Sequence, residues 1–177
     1  MTPDLVNSVS GLHIDIDVRA KGWREHLDDI EAISRRTLDV AWMALAFSPR
    51  HYEVSLVLGD DALQRSLNNQ YRGKDSSTNV LSFPSDEIDA DSFPKEAPVP
   101  LGDIIVAFET VMNECEKDEV SFSDHFCHLI VHGILHLAGY DHETPDEAEA
   151  MESLEIEILS KLGIRNPYAD GILLDHG

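Results

Sequence analysis

Three histidines at fixed intervals constrain this chain more than any other feature: His132-x3-His136-x2-Gly139-x2-His142. On a helix, four residues advance about 6 Å and turn slightly more than once, so His132 and His136 project from one face. Gly139 suits the left-handed position that ends a helix, and a sharp turn there brings His142 back as a third ligand. Three neutral imidazoles around one cation leave a coordination position open, as in catalytic rather than structural zinc sites. The spacing therefore predicts one Zn²⁺ held by His132, His136 and His142, although imidazoles also suit nickel, copper or iron. Such a cation acidifies bound water and polarises a carbonyl or phosphoryl oxygen, so hydrolysis is the natural chemistry. A lone His-x3-His is more often a polar helix stripe; the glycine and the third histidine in frame take this stretch out of that class.

The same frame occurs in the metzincin zinc motif, with one change: Gly133 stands where those proteases carry a general-base glutamate. The ligand spacing is kept and the proteolytic base is missing. His128, one turn before His132, is expected behind the ligands or facing substrate, and is a candidate general base. His125 is expected at the surface.

Around this stretch the hydropathy pattern predicts an α+β fold. Leu12, Ile14, Ile16 and Val18 alternate with polar residues, as do Tyr52, Val54, Leu56 and Leu58, and both runs read as strands. Val80 to Phe83 and Asp103 to Ala107 read as two more. Trp23 to Phe47 reads as one long amphipathic helix stopped by Pro49. Asp60 or Asp61 caps a short helix carrying Leu63, Leu67 and Tyr71, closed by Gly73. Further helices are expected over Phe108–Asp118, from Ser121 to Gly139, and from Thr144 to Gly163. The last has Thr144 as N-cap, Pro145 in its first turn and Glu147 three residues after the cap. The expectation is one compact domain over 1–177: a small four-stranded mixed sheet packed with about five helices, and a zincin-like metal site. Residues 1–10 are expected to be flexible, 84–100 to form a long acidic loop with four prolines, and 164–177 to form a tail.

Charge and composition narrow the function classes. The 177 residues carry a formal charge of −21, which argues against spontaneous adhesion to anionic membranes or naked nucleic acid. No apolar run approaches the length of a membrane span, and residues 1–10 lack the pattern of a secretory signal. The two cysteines, Cys115 and Cys127, form no framework, so a reduced, cytoplasmic compartment is expected. Against this acidity stands one basic island, Arg65, Arg72 and Lys74. Guanidinium groups there suit a phosphate, or serve as surface partners for nearby acids. Tyr71 reads as a packing residue rather than a base-stacking platform.

With these residues in view, the chain resembles the YbeY endoribonucleases. The resemblance lies in Asn68 to Pro84, in Leu101-Gly-Asp-Ile-Ile105, in His-Gly-x-Leu-His-Leu-x-Gly-Tyr-Asp-His at 132–142, and in the helix carrying Met151. Asn79 stands where the family usually has aspartate. The resemblance implies a zinc-holding cleft and metal-dependent cleavage of single-stranded RNA. The implied work is ribosomal RNA maturation, notably at the small-subunit 3′ end, and ribosome quality control. By the same resemblance His132, His136 and His142 hold the metal, Arg72 contacts phosphate, and small-subunit ribosomal proteins and a ribosome-associated GTPase are partners. Two other readings compete. One is a zinc amidase or peptidase drawing a base from elsewhere, such as Asp141. The other is a non-enzymatic ribosome-assembly factor with a stabilising metal.

Overall fold

The computed structural model describes residues 11–45, 50–72, 78–85, 94 and 96–168, with Arg72 described by its backbone alone. The expected flexible start, Phe47 and Pro49, Gly73 and Lys74, most of the proline-containing loop and the end of the tail lie outside the described residues. In chain order the elements are β1 (Leu12–Val18), α1 (Gly22–His26), α2 (Ile30–Met43), β2 (Tyr52–Gly59), α3 (Asp61–Arg72), β3 (Val80–Pro84), β4 (Val99–Ala107), α4 (Phe108–Asp118), α5 (Phe122–Leu137) and α6 (Pro145–Lys161). The strands form one sheet in the order β1-β2-β4-β3. β1 and β4 run parallel to β2, and β3 runs antiparallel to β4, so the sheet is mixed as expected.

Alternation in β2 sends Tyr52, Val54, Leu56 and Leu58 into the core, where all four are buried. β1 lies at the sheet edge, and of its apolar set only Leu12 is fully buried. α2 and α5 pack together, and α5 lies along β3 and β4. Every residue of α5 from His125 to Leu135 is buried, so this is the central helix of the fold, enclosed on all sides.

Two boundaries differ from the sequence reading. The expected helix from Trp23 breaks at Leu27, whose backbone is extended (φ −137°, ψ 101°), giving six helices among the described residues rather than about five. The break lets Trp23 turn inward separately. Its ring packs against Phe108, Phe122 and Phe126, and its indole N–H donates to the Gly59 carbonyl at 3.0 Å. β4 begins at Val99, earlier than expected, because a bulge opposite Glu53 and Val54 accommodates Pro100 and Gly102 inside a paired strand. Gly102 has φ +140°, and a Cβ there would stand 2.2 Å from the Phe83 carbonyl oxygen, so only glycine fits.

Candidate metal centre

Local chemistry builds the site as the spacing requires. Ser121 caps α5 by accepting from the Asp124 N–H at 3.1 Å. At the other end Gly139 (φ +104°) donates to His136 O, and Tyr140 N–H donates back to Leu135 O, each at 3.0 Å. This left-handed exit turns the chain over the last helical turn. Asp141 holds the new direction by accepting from the His142 N–H at 2.7 Å. His142 thereby returns to the face that carries His132 and His136. One ring nitrogen from each of the three lies within 4.8 Å of the others.

The hydrogen bonds fix which nitrogens face the centre. His132 Nδ1 lies 2.6 Å from Glu155 Oε2, and His136 Nδ1 lies 3.0 Å from the Tyr140 carbonyl. Both partners only accept, so both Nδ1 atoms carry a proton, and in the neutral imidazoles that leaves Nε2 as the donor atom for a metal. Those two Nε2 atoms are 2.9 Å apart. Two ring nitrogens facing each other at that separation call for a shared proton or a metal, and with His142 alongside the donor set fits a divalent metal. Burial, then the neighbouring His132 and His142, lower the His136 pKa from 6.5 to about 4, which keeps this imidazole neutral and able to donate to a metal.

Behind the three histidines lies a buried polar cluster, of which sequence reasoning anticipated His128 but missed Glu155 and Tyr168. Glu155, on α6, is fully buried; burial would raise its carboxyl, but hydrogen bonds from His128 and His132 outweigh that and hold it well below the ordinary carboxylate range. Tyr168, beyond α6, donates to Glu155 Oε1 at 2.5 Å; burial and then the Glu155 charge push its phenol upward, so it stays protonated. The expected C-terminal tail thus begins with a docked segment. His128 is buried with Nε2 3.4 Å from Glu155 and 3.3 Å from the Tyr168 hydroxyl. Its place is behind the ligands, and burial lowers its pKa. The available signal was an acid on the inward stripe of α6, where Glu155 sits between Met151 and Ile158.

His125 is a correction: it is buried, 7% exposed, with Nε2 2.8 Å from Glu114 Oε1. Its turn of α5 faces α4, not solvent. Glu114 also accepts from the Asn79 side-chain N–H at 3.2 Å, so the amide at 79 meets a carboxylate that an aspartate there would oppose. Tyr71 is a second correction: at 61% exposed it packs one ring contact, to Phe83, rather than joining the core. Arg65 is exposed on α3, the Arg72 backbone ends that helix, and the Arg72 side chain and Lys74 lie outside the described residues.

Gly133 has a structural reason. A Cβ there would stand 2.9 Å from Ile104 Cγ2 of β4. The central helix meets the sheet at this point.

A family model described as Endoribonuclease YbeY matches residues 16–163. An Endoribonuclease YbeY from Paramagnetospirillum magneticum is 45% identical over 160 residues, covering 90% of this chain and 97% of that protein. One from Allorhizobium ampelinum is 46% identical over 164 residues, covering 89% and 95%. The solution structure of the Thermotoga maritima protein TM1509 is similar with a TM-score of 0.52 and 25% identity, over 85% of this chain and 91% of that one.

Proposed function

The chain belongs to the YbeY endoribonuclease family, and on that premise we propose that it is a zinc-dependent endoribonuclease that cuts single-stranded RNA during ribosomal RNA maturation. The small-subunit 3′ end and ribosome quality control are the tasks this reading assigns. The observation that carries it is the convergence of the Nε2 atoms of His132 and His136, 2.9 Å apart, with His142 in reach. His132, His136 and His142 would hold a divalent cation, which would supply Lewis acidity toward a phosphoryl oxygen and acidify water.

The chain's own residues do the rest. Glu155 and the Tyr140 carbonyl hold the two helical imidazoles in one tautomer and orientation. Arg72, which ends α3, is the residue proposed to hold the scissile phosphate and the charge that builds on it. His128 is proposed to act on the centre through Glu155, since its nitrogen meets that carboxylate. Small-subunit ribosomal proteins and a ribosome-associated GTPase are the proposed partners and the cytoplasm the proposed compartment; among the described residues no helix is long and apolar enough to cross a membrane. Peptide hydrolysis by the metzincin route is disfavoured, because position 133 packs on Ile104 and has no room for the base.

The test is elemental analysis of untagged protein, followed by cleavage of single-stranded RNA with and without chelator. Zinc near one equivalent and chelator-sensitive cleavage support the reading. Cleavage retained by a rigorously purified, metal-free His132→Ala variant contradicts it.

A further inference from the structure

β3 separates two sides of the molecule. Ser82 faces α5, with its hydroxyl 3.4 Å from the Gly133 carbonyl. Phe83 faces the opposite way, with its ring centroid 5.3 Å from that of Tyr71 at the end of α3. On the Phe83 side a groove of about 1120 Å³ runs across the sheet. Its end near α3 is apolar, built from Leu67, Tyr71 and Phe83. Farther along, Asp15, Glu53 and Asp103 line it together with Arg19 and Arg35.

Tyr71 is the telling residue. An aromatic ring supported by a neighbour and 61% exposed at the mouth of a groove offers a π-face to a flat, uncharged partner. Acids outnumber arginines on the groove wall, so a phosphate is unwelcome inside it. A nucleobase is not: its amino N–H groups find acceptors in carboxylates, and Asp103, exposed on β4 and hydrogen-bonded to Ser55, presents one to the groove.

Gly102 lines the groove from within the sheet, and the Cβ it lacks would point to the other face, 3.0 Å from Leu137 Cδ2 of α5. β3 is the edge of the sheet, so a chain leaving the groove over Pro84 rounds one strand to reach the helix that carries the ligands.

We propose that this groove receives an unpaired nucleobase of the RNA substrate, stacked on Tyr71 with its amino edge toward Asp103. This rests on the ribonuclease reading for its purpose and on the groove for its place. Bases with an exocyclic amino group are then preferred over uracil.

Two arms test it on the intact, metal-loaded protein. Cytidine and uridine 5′-monophosphates have no internal phosphodiester to cut, so their binding is read by NMR from the ring signals of Tyr71 and Phe83. The expected result is larger shifts with the cytidine nucleotide. In the kinetic arm, Tyr71→Leu is expected to raise KM for single-stranded RNA 5- to 150-fold, the equivalent of about 1–3 kcal/mol of stacking. The expected change in kcat is far smaller, and Tyr71→Trp restores KM. If wild type cleaves RNA and Tyr71→Leu leaves KM unchanged, the groove proposal falls and the nuclease reading stands. If wild type cleaves no RNA, the nuclease reading falls, and the nucleotide arm decides the groove: selective shifts support a base site, none overturns it. Shifts caused by an arginine-rich peptide but by neither nucleotide overturn it in favour of a protein partner.

Discussion

Glu155 Oε2 lies 2.6 Å from His132 Nδ1, with Glu155 fully buried and His132 5% exposed. A carboxylate in that position fixes the tautomer of a metal-ligating histidine and raises its basicity. Glu155→Gln keeps the shape but loses the charge that faces the imidazole. The expected outcome is a 10- to 100-fold loss of metal affinity, measured by competition with a chromophoric chelator. Unchanged affinity would show that the contact is not used.

Gly133→Glu restores the residue that the metzincin frame carries at this point. Its first side-chain carbon would press on Ile104 Cγ2 from 2.9 Å. Overpacking of this kind costs about 1–3 kcal/mol, and a carboxylate at a helix–sheet contact adds to that. Equilibrium unfolding in urea is expected to show a stability loss of at least about 2 kcal/mol, and peptide substrates to remain uncut. A variant as stable as wild type would contradict this account of Gly133.

The metal-free protein is expected to weaken in acid. His136 titrates near pH 4 in the fold against 6.5 as its ordinary value. Between these values the unfolded chain binds the extra proton, so stability falls as pH drops through that window and is fully present above 6.5. His128, also lowered by burial, acts in the same direction, and Glu155 extends the loss to lower pH. The melting temperature of metal-free protein is therefore expected to decline steadily from pH 7 to pH 4.5. A flat or rising curve would contradict this.

What the sequence made legible was local. The three histidines, the Gly139 exit and the Thr144-Pro145-Glu147 start follow from spacing and from single-residue preferences, and they need no distant partner. The capping bond from Glu147 N–H to Thr144 Oγ1, 3.2 Å, is a contact three residues long. What stayed hidden depends on contacts across the chain. The break at Leu27 exists to turn Trp23 toward Phe108 and Phe122. The early start of β4 depends on a bulge against β2. His125 is buried because α4 brings Glu114 to it, and Glu155 matters because α6 lies beside the central helix. Tyr71 is open because its helix ends over a groove rather than over the core.

The central claim is a cation held by three imidazoles of this chain with a position left for solvent. X-ray absorption spectroscopy at the zinc edge, on protein purified without a tag, tests it most directly. The account predicts a first shell of light atoms, three of them imidazole nitrogens at about 2.0–2.1 Å, the remainder solvent oxygen and no sulfur. The imidazole signal should be lost in His132→Ala. A sulfur ligand, a fourth protein donor, or a spectrum unchanged in that variant would contradict it.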